Sequence, residues 1–159
     1  MAFEKTKSGT RGSRMGSFGG PVARWGNNLM VRRHRSKGGQ FQGMDVLILG
    51  TVGAKTGQRR ETLLGSFPDG DGAWLVVASA AGAAKNPAWY HNLAAHPDQA
   101  DVEIGGKKVK VTASQLDGPD RDAAWQRITA AQPRYGGYET KTDREIPIIR
   151  LTASSPPAS

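Results

Sequence analysis

Gly105-Gly106 separates two runs of strand-forming residues, 101–104 and 107–116. A diglycine link that tolerates positive φ at both positions is a strong signal for a two-residue antiparallel hairpin. The same pattern recurs along the chain. Residues 45–51 form an apolar strand, 60–67 a second, and Asp69-Gly70-Asp71-Gly72 turns into 73–79, where Trp74, Leu75, Val76 and Val77 predict burial on both faces. Residues 146–152 close the series. Hairpins leave no room for crossover helices, so the expected fold is mainly β (α+β), a closed or nearly closed barrel of about six antiparallel strands with two to four short helices. Two helices have visible starts. Asn86-Pro87 supplies an N-cap followed by Pro at N1, with a stop before Pro97. Pro119 opens a helix through Gln132, with Trp125 and Ile128 inward and Asp120 and Asp122 in the first turn.

At 159 residues the chain is one domain's worth. It contains no cysteine, which excludes a disulfide frame and a thiolate metal site and fits a cytoplasmic setting. His34, His91 and His96 offer no metal-ligand pair, so no metal is expected. No uncharged apolar run approaches the length of a membrane span. The net charge of +8 is uneven: residues 1–40 carry nine Lys or Arg against one Glu, and residues 41–159 carry thirteen against thirteen. A nucleic-acid binder would show its basic stripe on the folded body, so no nucleic-acid partner is expected.

The glycine-rich segment 1–20 reads as a disordered basic arm, 21–152 as the folded domain, and 153–159 as a flexible tail. After Pro21, Val22, Trp25 and Leu29 recur at helical spacing among Arg24, Arg32, Arg33 and Arg35. Such a basic amphipathic segment either plugs one end of the core or touches an anionic membrane surface peripherally.

Residues 50–60, "GTVGAKTGQRR", concentrate cations, hydroxyls and glycines on one turn. Gly53 and Gly57 leave backbone amides free to form an anion nest, Thr51 and Thr56 add hydroxyl donors, and Lys55, Arg59 and Arg60 add charge. The spacing is not that of a Walker loop, and it suits a solvated basic hairpin as well as a phosphate cradle. No nucleophile elbow is present, so any reactivity is expected to come from a cofactor.

The blocks "TVGAKTGQRR", "VVASAAGAAKNPAWYHNLAAHPD" and "YGGYETKTDREIPIIRL", in this order, resemble the deazaflavin-dependent nitroreductase family of split β-barrel oxidoreductases, which bind coenzyme F420. The resemblance covers about residues 22–152. It implies hydride transfer from reduced deazaflavin to an activated alkene, quinone, enone or nitro compound. It implies that Lys55, Thr56 and Arg60 meet the coenzyme phosphate, with Arg59 compensating for Ala54, where relatives often carry a second basic residue. Leu64, Val77, Ala78, Ser79 and Ala80 would lie along the ring, Lys85 would reach the acidic tail, and Ala88, Trp89 and Asn92 would be coenzyme neighbours. Tyr135 and Tyr138 would cover the substrate side, Tyr135 as a proton donor. Gln132 stands where the nitroimidazole-reducing member has a substrate-side Tyr.

From the residues alone, Trp89 on a short capped helix reads as core, and Tyr135-Gly136-Gly137-Tyr138 reads as a mobile flap rather than a packed helix. Two rival functions follow from the same inventory. One is a split-barrel oxidoreductase using FMN; the other is a non-enzymatic binder of anionic surfaces acting through the basic arm. Monomer and homodimer are both compatible with the sequence.

Overall fold

A computed structural model describes residues 9, 29, 31–33, 45–70, 72–79, 86–142 and 145–154. The arm at 1–20 beyond Gly9, the stripe residues Val22 and Trp25, and the tail from 155 lie outside the described residues. Seven strands form one sheet: β1 (Val46–Val52), β2 (Arg59–Gly65), β3 (Phe67–Pro68), β4 (Ala73–Val77), β5 (Ala100–Ile104), β6 (Lys107–Gln115) and β7 (Ile148–Ala153). Residues 29 and 31–33 are helical, and three helices lie wholly within the described residues: α1 (Ala88–Ala95), α2 (Gly118–Ala131) and α3 (Arg134–Lys141).

The sheet order is β2-β1-β5-β6-β7-β4-β3, and every pairing is antiparallel. β2 and β3 are therefore the two edges, yet Ser66 alone separates them in the chain. A flat sheet would hold those edges about 29 Å apart, at six spacings of about 4.8 Å, whereas two peptide units span at most about 7 Å. The sheet must roll up until its edges meet, and β2 does approach β4 across the gap. The second apolar run is thus divided between two strands, which is why seven are found where about six were expected. At the joint, buried Ser66 gives its amide to the Asp45 carbonyl at 2.8 Å.

Strand alternation creates two apolar clusters. Leu47, Leu49, Val76, Ala78, Val102, Val111, Ile149 and Leu151 fill the inner one, against Trp89, Tyr90 and Leu93 of α1. Leu75, Val77 and Ile148 point the other way and are covered by Ala124 and Ile128 of α2 and Tyr135 of α3. Trp125 is only partly buried at the margin of that cluster. Gly105 and Gly106 have φ of 58° and 80°, the geometry that the diglycine hairpin requires.

Several expectations need correction. Pro87, not Asn86, caps α1: Pro87 is extended at ψ 158°, so the helix begins at Ala88 with no side-chain cap. Asp120 lies in the first turn of α2, but Asp122 does not. The Tyr135–Tyr138 segment is a helix rather than a flap. Its tyrosines, three residues apart, fall on one face and pack, with the Tyr135 ring edge-on to Phe67 at 5.9 Å and to Tyr138 at 5.7 Å. Leu29 is 51% exposed and Val31 is buried, because two helical residues 200° apart cannot share a face.

Asp69, in the β3–β4 turn, accepts from Arg150 Nε of β7 at 2.6 Å and from Arg127 Nη2 of α2 at 3.2 Å. Burial pushes its carboxyl up, but the hydrogen bonds and charges of Arg150 and Arg127 outweigh this and hold it below the ordinary value of 3.8. A depressed folded-state pKa adds stability that is complete above the unfolded value and is lost as pH falls through the folded one. Chemical denaturation from about pH 5 down to about pH 2 should therefore show wild type losing more stability than Asp69→Asn. Parallel pH profiles for the two proteins would refute this role.

Candidate functional site

The turn between β1 and β2 is built differently from the expected nest. The Gly53 amide donates to the Gln58 carbonyl at 2.8 Å and the Gly57 amide to the Gly53 carbonyl at 2.9 Å, so both are used inside the turn. Gly57 has φ 70°, which only a residue without Cβ adopts freely. Thr56 folds its hydroxyl back beneath Gly53, where Oγ1 accepts the Gln58 amide at 3.2 Å. Among the described residues, no hydrogen bond engages the amides of Lys55 and Thr56, and no ion pair or hydrogen bond engages the side chains of Lys55 and Arg60. Lys55 and Thr56 are exposed and Arg60 is half-buried, so these groups are donors left unengaged among the described residues.

Alternation along β2 sends its two arginines to opposite faces. Arg60 pairs with Thr51 in register, on the face of Leu47, Leu49 and Leu64. Arg59 lies on the other face and reaches across β1 to Asp101 of β5, with Nη1 at 2.6 Å and Nη2 at 2.9 Å, and to Glu61 at 3.4 Å. The hydrogen-bonded Asp101 carboxylate holds the Arg59 proton more firmly than usual. The bridge passes over Gly50, where any Cβ would sit 2.5 Å from Arg59 Nη2 and from Asp101 Oδ1. The expected use of Arg59 on a phosphate meets a guanidinium already held by two carboxylates.

Asn92 on α1 touches the turn from the inner side. Its Oδ1 accepts the Ala54 amide at 2.9 Å and its Nδ2 donates to Thr51 Oγ1 at 3.1 Å. Thr51 is buried and is engaged by Asn92 rather than presented to an anion.

β4 ends between the two clusters. Ala78 is fully buried on the inner side with Trp89, and its amide donates to the Pro147 carbonyl at 2.9 Å. Val77 faces the outer cluster with Tyr135 and Tyr138, and Ser79 is buried beside them in sequence. Val77 and Ala78 therefore do not present side chains to a common surface. Ala88 is exposed at the start of α1, and Trp89 belongs to the core cluster. Ala80 and Lys85 lie outside the described residues. Burial pushes the Tyr135 hydroxyl above its ordinary value.

The structure adds Asp101 and Phe67 to the functional neighbourhood. Gly50 carried a usable signal, since glycine inside an apolar strand marks a close approach. Nothing in the sequence around Phe67 announced its contact with Tyr135.

A family model described as F420H2-dependent quinone reductase matches residues 24–153. The chain is 44% identical over 109 residues to an F420H2-dependent quinone reductase of Mycobacterium tuberculosis, covering 67% of this chain and 72% of that protein. Among solved structures it is similar to an F420-H2 dependent reductase, with a TM-score of 0.61 and 36% identity over 67% of this chain and 93% of the other. It is also similar to a protein described as a domain-swapped dimer, with a TM-score of 0.62 and 31% identity, covering 82% and 98% of the two chains.

A Cβ at Gly53 would stand 2.5 Å from Thr56 Oγ1 and 3.3 Å from the Gln58 carbonyl. Gly53→Ala should therefore cost about 1–3 kcal/mol in denaturant unfolding, the range for overpacking. An unchanged midpoint would mean that the Thr56 hydroxyl is not held there.

Proposed function

We propose, from the premise that this chain belongs to the family of F420H2-dependent quinone reductases, that it reduces a quinone to the hydroquinone with F420H2 as hydride donor. Membership makes it an F420-dependent oxidoreductase and assigns F420 rather than FMN as its cofactor. Activated alkenes, enones and nitro compounds are further acceptors to be tested.

The observation that carries the reading is the unengaged donor set on the β1–β2 turn, among the described residues: the Lys55 and Arg60 side chains with the Lys55 and Thr56 amides. This inventory fits a phosphate and an acidic tail. Arg59 belongs to the support of the turn instead. Two or three charge-assisted hydrogen bonds at about 2 kcal/mol each fall short of the about 8 kcal/mol that micromolar binding requires, so apolar contact with the ring must contribute the rest. Leu64, partly buried on the inner face, offers such contact. When bound, reduced F420 supplies a hydride from its deazaflavin ring. Reduction of a quinone then needs one further proton at oxygen, and the buried Tyr135 hydroxyl is the proposed donor, with Tyr138 beside it.

Two finer parts of the reading have their own support. A homodimer is motivated by the 31% identical protein described as a domain-swapped dimer. Peripheral contact with anionic lipid is motivated by exposed Leu29, which precedes exposed Arg32 and Arg33 by three and four helical positions. No helix among the described residues is long and apolar enough to cross a membrane. In sedimentation with anionic vesicles, Leu29→Ser should bind less than wild type, and equal binding would remove the lipid contact.

Fluorescence titration with F420 tests the cofactor site. Arg60→Gln and Lys55→Gln should each weaken binding about 10- to 100-fold, the value of one charge-assisted hydrogen bond, while Arg59→Gln weakens it less. Tighter binding of FMN than of F420, or a larger loss with Arg59→Gln than with Arg60→Gln, would overturn the assignment.

A further inference from the structure

We infer that Asn92 is a positioning residue: it acts on the cofactor through the shape of the β1–β2 turn and not by touching the ligand. This deepens the F420 reading and rests on it. Asn92 sits on α1, and its amide forks onto two points of the β1–β2 connection, Thr51 at the end of β1 and Ala54 at the first corner of the turn. Its orientation is fixed by chemistry. The Ala54 N–H can only donate, so Oδ1 must face it, which leaves Nδ2 to donate to Thr51 Oγ1.

The two anchors differ in kind. Thr51 is 2% exposed and stands opposite Arg60 in the β1–β2 register, so it fixes the fork to the rigid sheet. Ala54 is exposed and directly precedes Lys55 and Thr56, whose amides no hydrogen bond engages among the described residues. Holding the Ala54 amide orients the peptide plane before those two donors. The turn's own bonds, Gly53 to Gln58 and Gly57 to Gly53, close its base but leave residues 54–56 without another backbone tether. Asn92 thereby connects the α1 helix, whose neighbours Trp89, Tyr90 and Leu93 are core, to the one stretch of the turn that presents donors. A turn already in its binding shape does not have to be ordered when the anion arrives, and affinity rises by that saving in conformational entropy.

Thr51→Val separates the two roles, because it removes only the buried hydroxyl that Asn92 grips. If Asn92 positions the turn, Thr51→Val and Asn92→Ala should each raise the F420 dissociation constant about 10-fold, and the double variant should be no worse than either alone. At saturating F420H2, kcat should stay within about 2-fold of wild type in both single variants, since the loss lies in binding. In the protein without ligand, the Ala54 amide should exchange its hydrogen faster in Asn92→Ala than in wild type. Wild-type affinity in Thr51→Val beside weak binding in Asn92→Ala would assign Asn92 to direct ligand contact and overturn the inference. Unchanged Ala54 exchange in Asn92→Ala would overturn it too. If wild type failed to bind F420, the cofactor reading would fall, while the exchange measurement would still decide whether Asn92 holds the turn.

Discussion

A single residue, Ser66, joins the two edges of a seven-stranded sheet, and the rest of the architecture follows from that short link. Edges so close in the chain force the sheet to roll. Rolling creates an inside, filled by Leu47, Leu49, Val102 and Val111 with α1, and an outside on β4 and β7 that needs its own cover from α2 and α3. The ion pairs of Asp69 with Arg127 and Arg150 fasten that cover where the link delivers the chain, in the β3–β4 turn.

The candidate site inherits its chemistry from the same geometry. Two adjacent arginines look equivalent on paper, but a strand places them on opposite sides, so Arg59 meets Asp101 and Arg60 does not. Gly50 matters because the Arg59–Asp101 bridge runs directly above it, and Gly53 because the Thr56 hydroxyl lies beneath it. These two glycines are places where side chains of other residues pass, which is a different role from the positive φ of Gly57.

Much of this was legible in the sequence. The diglycine hairpin, the antiparallel connections, the helix opened near Pro119 and the stop before Pro97 are local signals, and local signals survive folding. The family resemblance also held, because it rested on several blocks in a fixed order. What escaped was non-local. The fate of the Gly53 and Gly57 amides depends on how the turn closes on itself, and that of Arg59 on a strand more than forty residues away. Tyr135 was misjudged because its two neighbouring glycines suggested mobility, whereas the partner that settles its packing, Phe67, comes from the far edge of the sheet. The division of one apolar run at Ser66 is marked only by the adjacent Gly65, a signal that does not by itself say whether the strand bends or ends.

The two clusters flanking β4 also separate tasks. The β1–β2 turn is fastened to α1 and the inner cluster, whereas Tyr135 and Tyr138 ride on α3 above the outer one. β4 and β7 each send residues to both clusters, while α1 packs in one and α2 and α3 in the other, so the turn and the tyrosines hang on different helices. If the turn holds the coenzyme as proposed, such a scaffold lets α3 vary without loosening that grip, with β4 and β7 as the fixed partition.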